Sequence, residues 1–157
     1  MTLEEIFENW EKDCVISDFL HGESSKTPQI SFKYLREYSR EKIKMSSLEF
    51  KYNSLKHEKS IFLSEGPASY EEKEMYENKG WKMPAKGKIK MKTELELYLK
   101  NDSELIDIDT KITLSKIKIE ALQFILKELQ SRSYLINNEI EIRKHDNGRP
   151  DYFNEVK

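Results

Sequence analysis

One cysteine stands in a chain of 157 residues, so no intrachain disulfide and no thiolate cluster for a tetrahedral metal site can form. Such usage suits a reducing compartment, and Cys14 itself reads as a small buried side chain. Apolar runs are short as well. None approaches the length needed to span a bilayer, and the acidic start Met1-Thr2-Leu3-Glu4-Glu5 is the opposite of a basic signal-peptide head. A soluble, intracellular protein without a membrane contact is therefore expected.

Chemistry is missing too. No G-x-x-x-x-G-K-[ST] loop occurs; Gly87-Lys88 is the nearest fragment and lacks both the upstream glycine and the hydroxyl that would hold a magnesium ion. The three histidines, His21, His57 and His145, are scattered without partners at ligand spacing and read as surface residues. Acidic pairs recur at every spacing because there are 29 acids, and no convergent pocket follows from them. Asn101-Asp102-Ser103 fits the glycosylation triplet, which an intracellular chain does not use. The expectation is a protein that is not an enzyme and has no cofactor, no metal and no catalytic residue.

What is present is helical patterning. Thr2 and Glu5 have capping-box spacing, predicting a short helix over Leu3 to Asp13 with Ile6, Phe7 and Trp10 as its apolar stripe. The turn-forming segment from His21 to Lys26 predicts a loop, with Thr27 as N-cap and Pro28 at the first position of the next helix. From Gln29 to Ser64 neither glycine nor proline occurs. Tyr38, Met45 and Tyr52 repeat every seven residues, and so do Leu48, Leu55 and Phe62, an a/d seam that Glu41 and Lys59 interrupt. Gly66-Pro67 ends this helix. A short acidic helix is expected from Ser69 to Asn78 with Gly80 as its stop, and a further one from Thr93 to Leu99, where alternating leucines also allow a strand. The second long helix is expected from Thr110 to about Lys144. Between Ile117 and Leu126 its apolar residues run nearly all the way round, and the chain has few other elements to cover them. With an apolar share of only 37%, self-association through Ile117, Ala121, Leu122, Phe124, Ile125, Leu129, Ile136 and Ile140 is the economical remedy. A tail over residues 146–157, with Gly148 and Pro150, is expected to be disordered.

A net charge of −2 conceals strong segregation: residues 1–13 sum to −4, 33–59 to +4, 65–77 to −4, 79–93 to +6 and 101–110 to −4. Concentrated lysines can bind a polyanion whatever the total charge. The stretch from Lys79 to Lys92 has six lysines and no acid, and reads as an extended basic arm. Lys51, Lys56, Lys59, Lys82, Lys86, Lys88, Lys90 and Lys92 are the candidate phosphate contacts. Phe50 lies off the a/d seam and is the candidate for stacking on a base. The expected organisation is a DNA-binding region over residues 1–109, an oligomerisation helix over 110–145 and the tail.

The order of segments resembles that of the UvsY family of phage recombination mediators. The resemblance rests on Leu3-Glu4-Glu5, Lys12-Asp13 and Ile16-Ser17-Asp18, then Leu48-Glu49 and Leu55-Lys56, then Met91-Lys92-Thr93, the run from Leu105 to Thr110 and the amphipathic helix containing Ile136. It covers roughly residues 3–145 and is carried by order and spacing, with no single diagnostic motif. The resemblance implies a mainly α fold with two long helices, about 29–64 and 110–144, assembling as a ring-like homo-oligomer, a hexamer or heptamer, through the C-terminal helix. It also implies a mediator that binds single-stranded DNA without sequence specificity and promotes loading of a RecA-like recombinase in place of a single-stranded-DNA-binding protein, in the cytoplasm of an infected bacterial host. The family's basic L-K-A-R stretch, tied to DNA binding, is matched here only by Leu55-Lys56; His57-Glu58-Lys59 replaces the rest, and Glu58 weakens the patch. Two other classes compete: a phage coiled-coil scaffold or adaptor without nucleic-acid binding, and a small enzyme.

Overall fold

The computed structural model describes residues 1–17 and 20–147, which form five helices and no strand. They are α1 (Leu3–Asp13), α2 (Leu20–Glu65), α3 (Tyr70–Asn78), α4 (Lys92–Lys100) and α5 (Ser103–Asn147). The expected tail from Asp146 falls on residues outside this range apart from the end of α5.

α1 begins where the capping box places it. The Thr2 amide donates to Glu5 Oε2 at 2.7 Å and the Glu5 amide donates to Thr2 Oγ1 at 3.1 Å, satisfying two otherwise orphaned donors reciprocally. Ser69 caps α3 by accepting from the Glu72 amide at 3.1 Å, while the Glu72 carboxylate accepts from the Ala68 amide at 2.8 Å. α4 settles the ambiguity over Thr93–Leu99 in favour of helix: Met91 is the N-cap, without a side-chain bond, and Thr93 lies inside the helix. Cys14 is exposed rather than buried, just beyond the end of α1, with its thiol donating to the Glu11 carbonyl at 3.3 Å.

Both long helices start earlier than their patterning suggests. α2 begins at Leu20, so the turn-rich residues 21–26 are helical and Pro28 sits inside the helix. An internal proline costs about 3 kcal/mol. Tertiary contacts offset this: Glu23 and Thr27 are buried, and the Glu23 carboxylate pairs with Arg132 of α5 at 2.6 Å; within α2 the Thr27 hydroxyl donates to the Glu23 carbonyl at 3.0 Å. α5 begins at Ser103, seven residues before Thr110. Asp102 Oδ1 accepts from the Glu104 and Leu105 amides, both at 3.1 Å, which is the N-cap arrangement. Leu105 and Ile112, seven apart, are both buried.

The chain divides into two compact units, one of Met1–Lys42 with Ile117–Lys157 and one of Ile43–Lys116. In the first, Ile6, Tyr34, Leu122, Ile125 and Leu129 form a core, with Trp10, Ile30, Tyr38 and Leu126 packed on it. Trp10 meets Tyr34 edge to face at 5.9 Å. Arg132, 4% exposed, donates to the carbonyls of Asp13, Cys14 and Val15 and to Glu23, tying the end of α1 to the first turns of α2. In the second unit Phe62, Tyr76, Ile89, Leu99, Leu105 and Ile112 are buried. The α2 seam is the packed side of that helix: Tyr38, Met45, Leu48, Tyr52 and Leu55 are half-buried and Phe62 is buried. The charged interruptions are both paired, Glu41 with Lys118 at 4.0 Å and Lys59 with Asp102 and Glu104, each at 2.5 Å.

Candidate nucleic-acid interface

The basic segment after α3 is folded rather than extended. Gly80 and Gly87 take positive φ values of 75° and 80°, the region open to glycine, and each turns the chain. The Ile89 amide donates to the Leu63 carbonyl at 2.9 Å and its side chain is buried, so the segment is pinned along the last turn of α2. Gly66, with φ of 72°, lies beneath it: a Cβ there would meet Lys88 Cε at 3.1 Å and Met83 Cε at 3.5 Å. The lysine ammoniums project from a fixed backbone, since Lys82, Lys86, Lys88, Lys90 and Lys92 are all exposed.

An aromatic cluster anchors the start of this segment. Trp81 stacks on Tyr76 at 5.3 Å and 11°, both rings contact Phe62, and the indole Nε1 donates to Glu104 at 3.0 Å. The ammoniums of Lys59 and Lys79 lie 4.8 and 5.0 Å from the Trp81 centroid, an arrangement the ring quadrupole favours. A pocket of about 420 Å³ opens beside Trp81 between α2, α3 and the lysine-rich segment.

The predicted contacts on α2 are placed differently from one another. Lys51 and Lys56 are exposed, with the Lys56 ammonium 5.8 Å from the Tyr52 ring. Lys59 is 6% exposed and committed to Asp102, Glu104 and Trp81, which leaves no free ammonium for a phosphate. Phe50 is 75% exposed, as a stacking residue requires. Glu58 is ion-paired with Lys79, so the acid that interrupts the inherited patch is neutralised by the lysine-rich segment. Lys51 and Glu58 are seven apart and share one flank of α2, and the Glu58 pair brings Lys79 to that flank. Lys56 points elsewhere round the helix, so Lys51, Lys56 and Phe50 do not converge on one spot.

The candidate assembly residues also divide. Leu122, Ile125, Leu129 and Ile136 are buried in their own chain, and Ala121 and Ile140 are half-buried. Ile117 and Phe124 are exposed, and so are Leu135 and Ile142, which sequence reading did not set apart. The apolar girth of α5 thus divides into a stripe packed within the chain and an exposed row.

Fold and site together define an all-helical protein, among its described residues, with a lysine-rich segment pinned beside an aromatic pocket and no cluster of side chains fit to hold a metal ion. The family model described as "Recombination, repair and ssDNA binding protein UvsY" matches residues 9–149, and the chain belongs to the UvsY family. The fold is similar to crystal structures of the bacteriophage T4 recombination mediator protein UvsY. One matches with a TM-score of 0.75 and 19% identity over 94% of this chain and 99% of that one. Another matches with a TM-score of 0.72 and 18% identity over 93% and 99%. No curated protein sequence matches.

Proposed function

We propose that this chain is a recombination mediator that binds single-stranded DNA without sequence preference and promotes loading of a RecA-like recombinase where a single-stranded-DNA-binding protein would otherwise sit. The observation that carries the DNA-binding half is the pinned segment in which Lys82, Lys86, Lys88, Lys90 and Lys92 are exposed on an ordered backbone with no acid among them. Fixing the backbone in advance lowers the entropy lost when a strand is bound. Exposed lysines meet phosphates as point charges and read no base edge, which gives affinity without sequence. The open apolar stripe of α5 supports a homo-oligomer, a ring of six or seven copies in this reading, in which a modest site repeated many times gains avidity through effective concentration.

Affinity should therefore fall steeply with salt and hardly change with sequence. Binding of a mixed-sequence and a poly-thymidine oligonucleotide across a salt series checks both. Equal affinities are expected, with a slope of log affinity against log salt of roughly −0.7 for each phosphate neutralised. A flat slope or a marked preference for one sequence would remove this mode, and absence of saturable binding at low salt would favour a scaffold instead.

A further inference from the structure

The pocket beside Trp81 differs in character from everything around it. Its walls are Phe62, Pro67, Tyr76, Trp81 and Met83, and its volume of about 420 Å³ lies in the range of sites that enclose a small planar ligand. These walls are fixed before anything binds, because Trp81 is held by its stack on Tyr76, its contact with Phe62 and its bond to Glu104. The rim is basic on balance: Lys73 and Lys82 line it against Glu77 alone, and Lys73 lies 3.9 Å from that carboxylate. Lys88 adds a further cation beside the Met83 wall, since both side chains lie over Gly66. The second hollow by Trp81 shares Phe62, Trp81 and Lys82 with this one, but most of its other charged groups are already paired: Asp102 and Glu104 with Lys59, and Lys79 with Glu58.

We infer that the pocket walled by Phe62, Trp81 and Met83 accepts one unstacked base of a single strand, whose flanking phosphates are met by Lys82 and Lys88. The inference rests on the DNA-binding reading above and deepens it by adding an apolar, base-dependent contact to a phosphate-dependent one. An aromatic-lined seat is tolerant of sequence because every base has a flat apolar face. It also discriminates against a duplex, whose bases are stacked and unavailable.

The test uses the indole as its own reporter. Trp10 and Trp81 are the two tryptophans, so Trp10→Phe leaves Trp81 alone. Fluorescence of the full-length variant is followed while an oligothymidine, or an abasic oligonucleotide of equal length and charge, is titrated in. The expected result is a saturable change in Trp81 emission with the thymidine strand and none with the abasic one, which should bind with a similar salt slope but between about 5-fold and 150-fold more weakly. Should Trp10→Phe not fold, the parent's response and its loss in Trp81→Phe give the same comparison. Equal affinity for both strands with a silent indole would overturn the inference while leaving phosphate binding in place, and would point to a protein side chain as the occupant. Failure of both strands to bind would instead remove the DNA-binding reading itself, and the inference with it.

Discussion

Arg132 carries a charge at a site only 4% exposed, and its guanidinium is held by three backbone carbonyls and one carboxylate. That carboxylate, Glu23, also accepts from Ser17 at 2.8 Å and Lys26 at 3.0 Å. The hydrogen bonds from Ser17 and Lys26, with that from Arg132, hold its pKa down at about 2 from an ordinary 4.5 despite burial. Because the folded-state value is depressed, the contribution to stability is fully present above about pH 4.5 and is lost as pH falls towards 2. Glu23→Gln leaves the arginine charge buried without its counter-ion, and should cost about 3–5 kcal/mol in denaturant unfolding at pH 7. The variant should also lose less stability than the parent between pH 5 and pH 3. A parent whose stability is flat over that interval would show that Glu23 is not the group responsible. Nearby, burial and the Asp13 carboxylate, which accepts from the Tyr34 hydroxyl at 2.9 Å, push the Tyr34 phenol upward, so it stays a donor at all working pH values.

At the scale of elements, the competition is between α2 and the lysine-rich segment that follows α3. Replacing Lys86, Lys88 and Lys90 by alanine should weaken single-strand binding and flatten the salt slope more than replacing Lys51 and Lys56, with the oligomer intact in both. Oligonucleotide titrations at several salt concentrations read both quantities. If the first variant binds like the parent while the second fails, the helix carries the contacts and the segment is a solvated loop. Lys59 does not belong in this comparison: its removal strips a buried cation from Asp102 and Glu104 and perturbs folding directly. The sequence made the helices legible where local chemistry decides, as with the Thr2–Glu5 box and the heptads from Tyr38 to Phe62. It hid the first turns of α2, because His21 to Lys26 have turn propensity and the Glu23–Arg132 pair that overrides it spans 109 positions. The exposed lysines of the candidate site stand out in the sequence from charge alone. The Trp81 pocket was not, since Phe62, Tyr76 and Trp81 belong to separate segments and only folding joins them. The burial of Lys59 escaped for the same reason, although its place on the apolar seam was a signal that it faces inward.

For the molecule as a whole, the question is which apolar surface of α5 serves its own chain and which serves a neighbour. Leu122 is 1% exposed and Phe124 is 58% exposed, although they stand two residues apart on the same helix. Ile117, Phe124, Leu135 and Ile142 recur at intervals of seven and eleven, which keeps them on one side of the helix, and among the described residues that side is exposed. A row of exposed side chains of this size is the surface that the proposed self-association would use. The two positions therefore make opposite predictions. Leu122→Ala opens a cavity in the protomer core and should cost about 2–5 kcal/mol of unfolding free energy whatever the protein concentration. Under the proposed self-association, Phe124→Asp would place a charge between copies, so it should leave the helical circular dichroism spectrum intact while shifting sedimentation to smaller species. With avidity gone, its affinity for a long single strand should fall further than its affinity for one short enough to occupy a single protomer. A Phe124→Asp protein that sediments with the parent's mass would place the subunit contact on another surface, and the exposed row of α5 would then be open to a heterologous partner.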